Sequence, residues 1–320
     1  MDFSSYIFRS HMVGHIIDVP KPLTPNQSET LNDLSARFNG DGKPLTDKQK
    51  ETFFSLQNKY NESLKYALTD STKKILSRLV FAEKYGRKVE LNSPQISKGL
   101  EVEKNARDVL SRVSGLFLTP SEERRTNRWV TGKLDVDPQG VIIDIKSSWS
   151  WESYSTILEN SANEIYLRQG DSYMDLWNMK DFILCHILVD TPNKLVEGEI
   201  RRYDYQNMIL DFEGNVKDDC IDEVVQLVSN HIFSRKGLEE FCDYSSNIHI
   251  EWFNDFREIP EQERVHMITH AFDPLRIEQR NKCISLAREY MNTVRPINNF
   301  QPSLLLAEYD HDTNATIISK

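Results

Sequence analysis

The sequence predicts an α/β protein: a mixed β-sheet flanked by helices, with helical additions at both ends. Three observations predict it. Residues 130–136 alternate apolar with polar and residues 141–146 form a short β-branched run; between them Asp137-Pro138-Gln139-Gly140 reads as a turn and the whole as a β-hairpin. Residues 182–189 are apolar almost throughout, the pattern of a central strand covered on both faces. On either side of these strands, long segments repeat their apolar residues at helical spacing.

In chain order, residues 1–20 read as a short strand or turn entering an apolar segment, with Ser10 a candidate N-cap. Residues 20–50 are rich in Pro, Asn, Ser, Asp and Gly, and read as loop with a short helix over 29–38. A helix opens at Thr46, with Phe53, Leu56, Tyr60, Leu64 and Leu68 on its core face, and a second covers 70–85. Over 97–114 the apolar face is Val102, Ala106, Val109, Leu110 and Val113, with Glu103 at its edge. After the hairpin and a polar, aromatic loop from Ser147 to Tyr154, one helix is expected over 158–177, carrying Tyr166, Gln169, Tyr173 and Trp177 on one stripe. Core packing is the ordinary reading for Tyr166 and Trp177. Asp218 to Glu223 reads as the solvated start of a helix. Asp273-Pro274 starts a last helix that packs through Cys283, Ala287, Tyr290, Met291 and Val294 and exposes Arg276 and Arg280; residues 308–320 read as frayed.

Composition narrows the class. With 320 residues, 39% of them hydrophobic and 28% charged, the chain can bury a full core. No apolar run approaches the ~20 residues a membrane helix needs, and Met1 to Ser10 has no basic then apolar leader, so a cytoplasmic protein is expected. Cys185, Cys220, Cys242 and Cys283 are scattered without a C-x-x-C pair, as in reduced, structural thiols. A net charge of −10 argues against broad non-specific binding to nucleic acid, so any such binding must use a local basic patch.

Side chains two apart in a strand share a face. Lys133, Asp135 and Asp137 therefore point one way, as do Asp144 and Lys146, and a hairpin with these faces together gathers Asp135, Asp144 and Lys146. Carboxylates so placed repel one another unless a cation lies between them, and hard oxygen donors suit Mg²⁺ or Mn²⁺. The alternative is an ordinary hairpin with a solvated charged face.

In order, the chain presents Gly99-x-x-x-Glu103, Gly132-x-x-Asp135, Asp144-x-Lys146 and Gln169-x-x-x-Tyr173, followed by a buried strand. This series resembles the PD-(D/E)XK nuclease superfamily, in the branch of RecB-type nuclease domains, lambda exonuclease and YqaJ-like phage recombinases. The likeness covers about residues 97–192, and Phe8 to Gly14 weakly resembles the opening of YqaJ-like chains. One departure is Leu134, where many members have Pro. The resemblance implies a restriction-endonuclease-like fold with an N-terminal helical region over 1–96, a nuclease core over 97–192 and a mainly helical extension over 193–320, together one compact unit. It implies a metal-dependent nuclease, foremost a DNA exonuclease of phage-type recombination, repair or genome processing. An endonuclease on the same fold and a catalytically idle DNA-binding or scaffold protein are the alternatives.

The resemblance also implies roles. Asp135 and Asp144 hold Mg²⁺ (or Mn²⁺), with Glu103 completing the carboxylate set and the Ile145 carbonyl a further ligand. Lys146 orients or deprotonates the attacking water, and Gln169 and Tyr173 line the cleft. Single- or double-stranded DNA is the implied partner; a recombination partner protein and a homo-oligomer are compatible with it, a membrane is not. The candidate DNA contacts are Arg124, Arg125 and Arg128, with Trp149 and Trp151 placed to stack on bases, and Lys104 and Arg107 nearby. Some relatives carry an iron–sulfur cluster; none is expected here, because no cysteine precedes the core. His266-x-x-x-His270 has helical metal-ligand spacing but lacks the Glu of H-E-x-x-H and is not taken as a metal site.

Overall fold

Two small mixed sheets, rather than one sheet with a hairpin, organise the computed structural model, which describes residues 1–17, 23–63, 66–87, 93–160, 162–204 and 209–295. Leu64 and residues 308–320 lie outside this set. In the first sheet β3 (Val130–Lys133) is central, with β1 (Phe8–Arg9) parallel and β2 (Arg124–Thr126) antiparallel to it. In the second, β5 (Asp181–Ile187) is central, with β4 (Ile142–Ser147) parallel and β6 (Val265–Ala271) antiparallel. The expected hairpin is therefore corrected. The turn residues lie between β3 and β4, but each strand pairs with partners distant in sequence. The link between the two sheets near the turn is a side chain: Asp135 Oδ2 accepts a hydrogen bond from the Ile145 amide at 2.8 Å.

Twelve α-helices surround the sheets among the described residues. They are α1 (Ser10–Ile16), α2 (Pro25–Phe38), α3 (Asp47–Ser63), α4 (Asp70–Tyr85), α5 (Pro94–Glu101), α6 (Glu103–Ser114), α7 (Trp151–Glu159), α8 (Glu164–Trp177), α9 (Asn193–Tyr203), α10 (Ile221–Ser229), α11 (Arg235–Tyr244) and α12 (Pro274–Thr293). No helix among the described residues is long and apolar enough to cross a membrane.

Local chemistry explains where the expected boundaries move. Thr24 makes a capping box with Gln27 ahead of Pro25, so α2 starts earlier than the composition of the region suggests. Val102 leaves helical geometry and its side chain is buried, which splits the expected helix over 97–114 into α5 and α6. Ser150 caps α7 and Asn163 caps α8, so the expected polar loop and single long helix become two helices. Ser10 is not a cap; it is the first residue of α1, and its hydroxyl donates to the Thr131 carbonyl at 3.1 Å. His266 and His270 stand on β6, a strand, not on a helix, and the segment beyond residue 192 thus completes the second sheet.

Strand alternation divides the core. Ile143 of β4 and Cys185 and Ile187 of β5 pack against Ala106, Val109 and Leu110 of α6. Ile142, Phe182 and Leu184 face the other way, against Tyr173, Met174 and Trp177 of α8. Gly170 makes that second contact close, because a Cβ there would stand 2.6 Å from the Phe182 ring. Carboxylates on α8, Asp171 buried and Asp175 partly so, then fix the C-terminal segment. Asp171 meets His270 at 2.9 Å and Arg276 at 3.0 Å, and Asp175 meets Arg280 at 2.7 Å. Arg276 and Arg280, expected on the surface, are held inward by these partners, and Arg280 is 1% exposed.

Two buried imidazoles set an acid limit on stability. His186 on β5 and His231 are each pushed down to about 4. Burial is the main cause, with His266 and Lys146 adding to it for His186 and Lys98 for His231. The unfolded chain protonates these groups near 6.5 while the fold does not, so stability is intact above 6.5 and falls as pH drops toward 4. Between pH 7.5 and 5 we expect a loss of roughly 2 kcal/mol per histidine, read from urea midpoints. His231→Gln should flatten this slope, and an unchanged slope would contradict the assignment.

Candidate active site

The alternation of β4 places Asp144 and Lys146 on the face covered by α8. Asp144 is 1% exposed. Its Oδ2 lies 2.7 Å from the Lys146 ammonium, and its Oδ1 accepts a long hydrogen bond from Gln169 Nε2 at 3.4 Å. The same Gln169 nitrogen donates to the Tyr173 hydroxyl at 2.8 Å, a division its two N–H groups allow. Asp135 arrives from the connection after β3 and is anchored by the Ile145 amide. The structure thus brings Asp135, Asp144, Ile145, Lys146, Gln169 and Tyr173 together around one point.

Their electrostatics are those of two carboxylates sharing one ammonium. Burial, and then the Asp144 charge, push Asp135 up to about 6. Burial alone would lower Lys146, but Asp144 and Asp135 outweigh it and hold the ammonium above its ordinary range. Burial and the Asp144 charge also raise the Tyr173 phenol, keeping it a neutral hydrogen-bonding group. Asp144 Oδ2 has the ion pair but no partner in hydrogen-bond geometry, although it is buried. A buried carboxylate beside a second carboxylate is a donor set a hard divalent cation takes, and such an ion would relieve the repulsion that, after burial, helps raise Asp135. The residues fit a metal.

The other expected residues are placed differently. Glu103 opens α6, which packs on the opposite face of β4; its carboxylate is half-exposed and 3.8 Å from Arg107. Among the described residues no three His, Cys, Asp or Glu side chains group as metal ligands. Arg124 is exposed on β2, Arg125 pairs with Glu123 at 2.8 Å, and Arg128 lies over the Trp129 ring at 4.9 Å. Trp149 packs on the His231 ring at 5.0 Å, and its carbonyl accepts from the buried Lys98 ammonium at 3.0 Å. Trp151 is 40% exposed.

Around Lys146 stand three residues that the sequence reading passes over or assigns to packing. Tyr166 presents its ring 5.3 Å from the ammonium, His186 pairs with Lys146 across the β4–β5 register, and His11 of α1 is lowered by burial and then by Arg9 and Lys146. Strand register would have found His186, had β4 and β5 been recognised as parallel neighbours.

The fold has counterparts among solved structures. A phage related exonuclease from Haemophilus somnus 129PT aligns with a TM-score of 0.54 at 18% identity, over 90% of this chain and 94% of that one. An alkaline exonuclease (LHK-Exo) from Laribacter hongkongensis aligns with a TM-score of 0.42 at 11% identity, over 71% and 82% of the two chains. No protein-family model and no curated protein matches the sequence. The first alignment spans nearly the whole chain, so the fold is the α/β, restriction-endonuclease-like one with helical additions, and the resemblance drawn from the four motifs holds at the level of architecture.

The two motif glycines should behave oppositely. A Cβ on Gly132 would stand 2.7 Å from the Tyr173 ring and 2.8 Å from Ser10 Oγ, whereas Gly99, inside α5, has nothing within 4 Å. Gly132→Ala should cost about 1–3 kcal/mol. Gly99→Ala should be neutral or stabilise by up to about 1 kcal/mol. Denaturant unfolding of both variants decides this, and a tolerated Gly132→Ala would show that Tyr173 is not held against β3.

Proposed function

We propose that this chain is a metal-dependent deoxyribonuclease, and an exonuclease. The observation that carries the reading is the buried Asp144, set beside a second carboxylate, Asp135, with the Lys146 ammonium 2.7 Å from its Oδ2. A packed core does not require that trio, and each buried charge costs free energy that a stability role would not repay. Exonuclease activity belongs to the Haemophilus protein; here it enters as the reading that the shared architecture and the four motifs support.

In this reading Asp135, Asp144 and the Ile145 carbonyl would hold Mg²⁺ or Mn²⁺, with Glu103 the further carboxylate that the motif order implies. The ion, when bound, supplies an activated water and neutralises charge at the phosphate. Lys146, kept protonated by its carboxylate neighbours, suits donation to the developing charge on a phosphate oxygen better than proton abstraction. Gln169 and Tyr173 hold Asp144 in place and line the cleft. Arg124, Arg128 and Trp151 are the DNA contacts left open to solvent, whereas Trp149 acts by packing. With a net charge of −10, the chain needs an end-dependent grip rather than a broadly basic surface.

The test is end-labelled linear DNA beside covalently closed circles, with Mg²⁺ and with EDTA. Linear DNA should be degraded from its ends in Mg²⁺, circles should survive, and EDTA should abolish cleavage. Rapid linearisation of circles would favour an endonuclease, and cleavage in EDTA would remove the metal. Lys146→Ala should slow cleavage on the order of 10²–10⁴-fold with the fold retained. Near wild-type cleavage by that variant would remove Lys146 from the chemistry.

A further inference from the structure

Lys146 is the neutralising partner of Asp144, yet a divalent ion bound by Asp144 and Asp135 would repel that ammonium. The lysine must therefore have somewhere to go. Its Nζ is 2.7 Å from Asp144 Oδ2 and 5.3 Å from the centroid of the Tyr166 ring, in the first turn of α8. Tyr166 is itself backed by the His186 ring, 6.0 Å away at an interplanar angle of 58°. His186 is the register partner of Lys146 on β5 and is 4% exposed, so the wall behind the tyrosine is fixed. The Lys146 side chain is 25% exposed and carries a flexible four-carbon stem, free to shift its head while its Cα stays in the sheet.

We propose that Tyr166 is a positioning residue whose ring face seats the Lys146 ammonium when a divalent cation takes its place at Asp144. The inference rests on the metal reading above and deepens it. An aromatic face attracts an ammonium without competing for the cation, because it offers negative potential and no oxygen ligand from the ring itself. A carboxylate in the same position would bind the ion or trap the lysine, and an aliphatic side chain would leave the ammonium on Asp144. Tyr166 thus couples two states of one lysine. In the first the lysine balances the buried carboxylate, and in the second it stands beside the ion, facing the substrate.

Mn²⁺ titration by calorimetry, with no nucleic acid present, tests this without an activity readout. Tyr166→Phe keeps the ring and should bind Mn²⁺ like the wild type. Tyr166→Leu should bind it roughly 3- to 30-fold more weakly, the range of a partly desolvated cation–π contact. In a Lys146→Met background, where no ammonium competes, Tyr166→Leu should have no further effect, and Lys146→Met alone should bind more tightly than wild type. Should Tyr166→Leu fail to fold, judged by its thermal transition, Tyr166→Met takes its place in the cycle. Equal weakening by the Tyr166 substitution with and without Lys146 would overturn the proposal, as would wild-type affinity in Tyr166→Leu. If the wild type itself takes up no Mn²⁺, the metal reading fails first, and this proposal with it.

Discussion

The close approach of α8 to the second sheet is the constraint on which the rest of the structure depends. Gly170 lets the helix settle on the Phe182 ring where any larger residue would collide. Asp171 and Asp175 then lock its orientation through His270, Arg276 and Arg280. Removing one partner of a buried charge pair typically costs about 3–5 kcal/mol, because the other charge stays in low dielectric. The helix therefore has one stable seat. From that seat Gln169, Tyr173 and Tyr166 reach Asp144 and Lys146, so the geometry of the site is inherited from contacts on the far side of the same helix.

Much of this was legible in the sequence where the signal is local. Asp144 and Lys146 share a face because strand side chains alternate, and Gln169 and Tyr173 share one because four residues make a helical turn. The four motifs in order pointed to the fold that the Haemophilus structure shares. What could not be read is pairing at a distance. The Asp137-Pro138-Gln139-Gly140 turn has hairpin chemistry, but β3 finds its partners in β1 and β2, strands of two and three residues that leave no periodic trace. Arg276 and Arg280 looked like surface residues because the carboxylates that draw them in lie 105 positions away. Trp149, one of two tryptophans in a polar loop, could not be told from Trp151 until His231 and Lys98 were seen packed around it.

The electrostatics of the site follow from an uneven count. Two carboxylates, Asp144 buried and Asp135 partly so, face one ammonium, and desolvation together with the Asp144 charge raises Asp135. In the proposed reading, the same uneven count makes this one point of an acidic chain a demand for cations.

The order in which the chain leaves the ribosome gives the Asp171 pairings a further meaning. Three of the elements that finish the fold, namely β6, the His270–Asp171 contact and the Arg276 and Arg280 pairs, all come from residues 265–280. Before those residues emerge, β5 has an open edge. Asp171 is left with Arg168 at 3.7 Å as its cationic neighbour, and Asp175 lacks Arg280. The ion pairs that orient α8 are missing until then, so the acidic residues of the site are synthesised long before the partners that hold their helix in place.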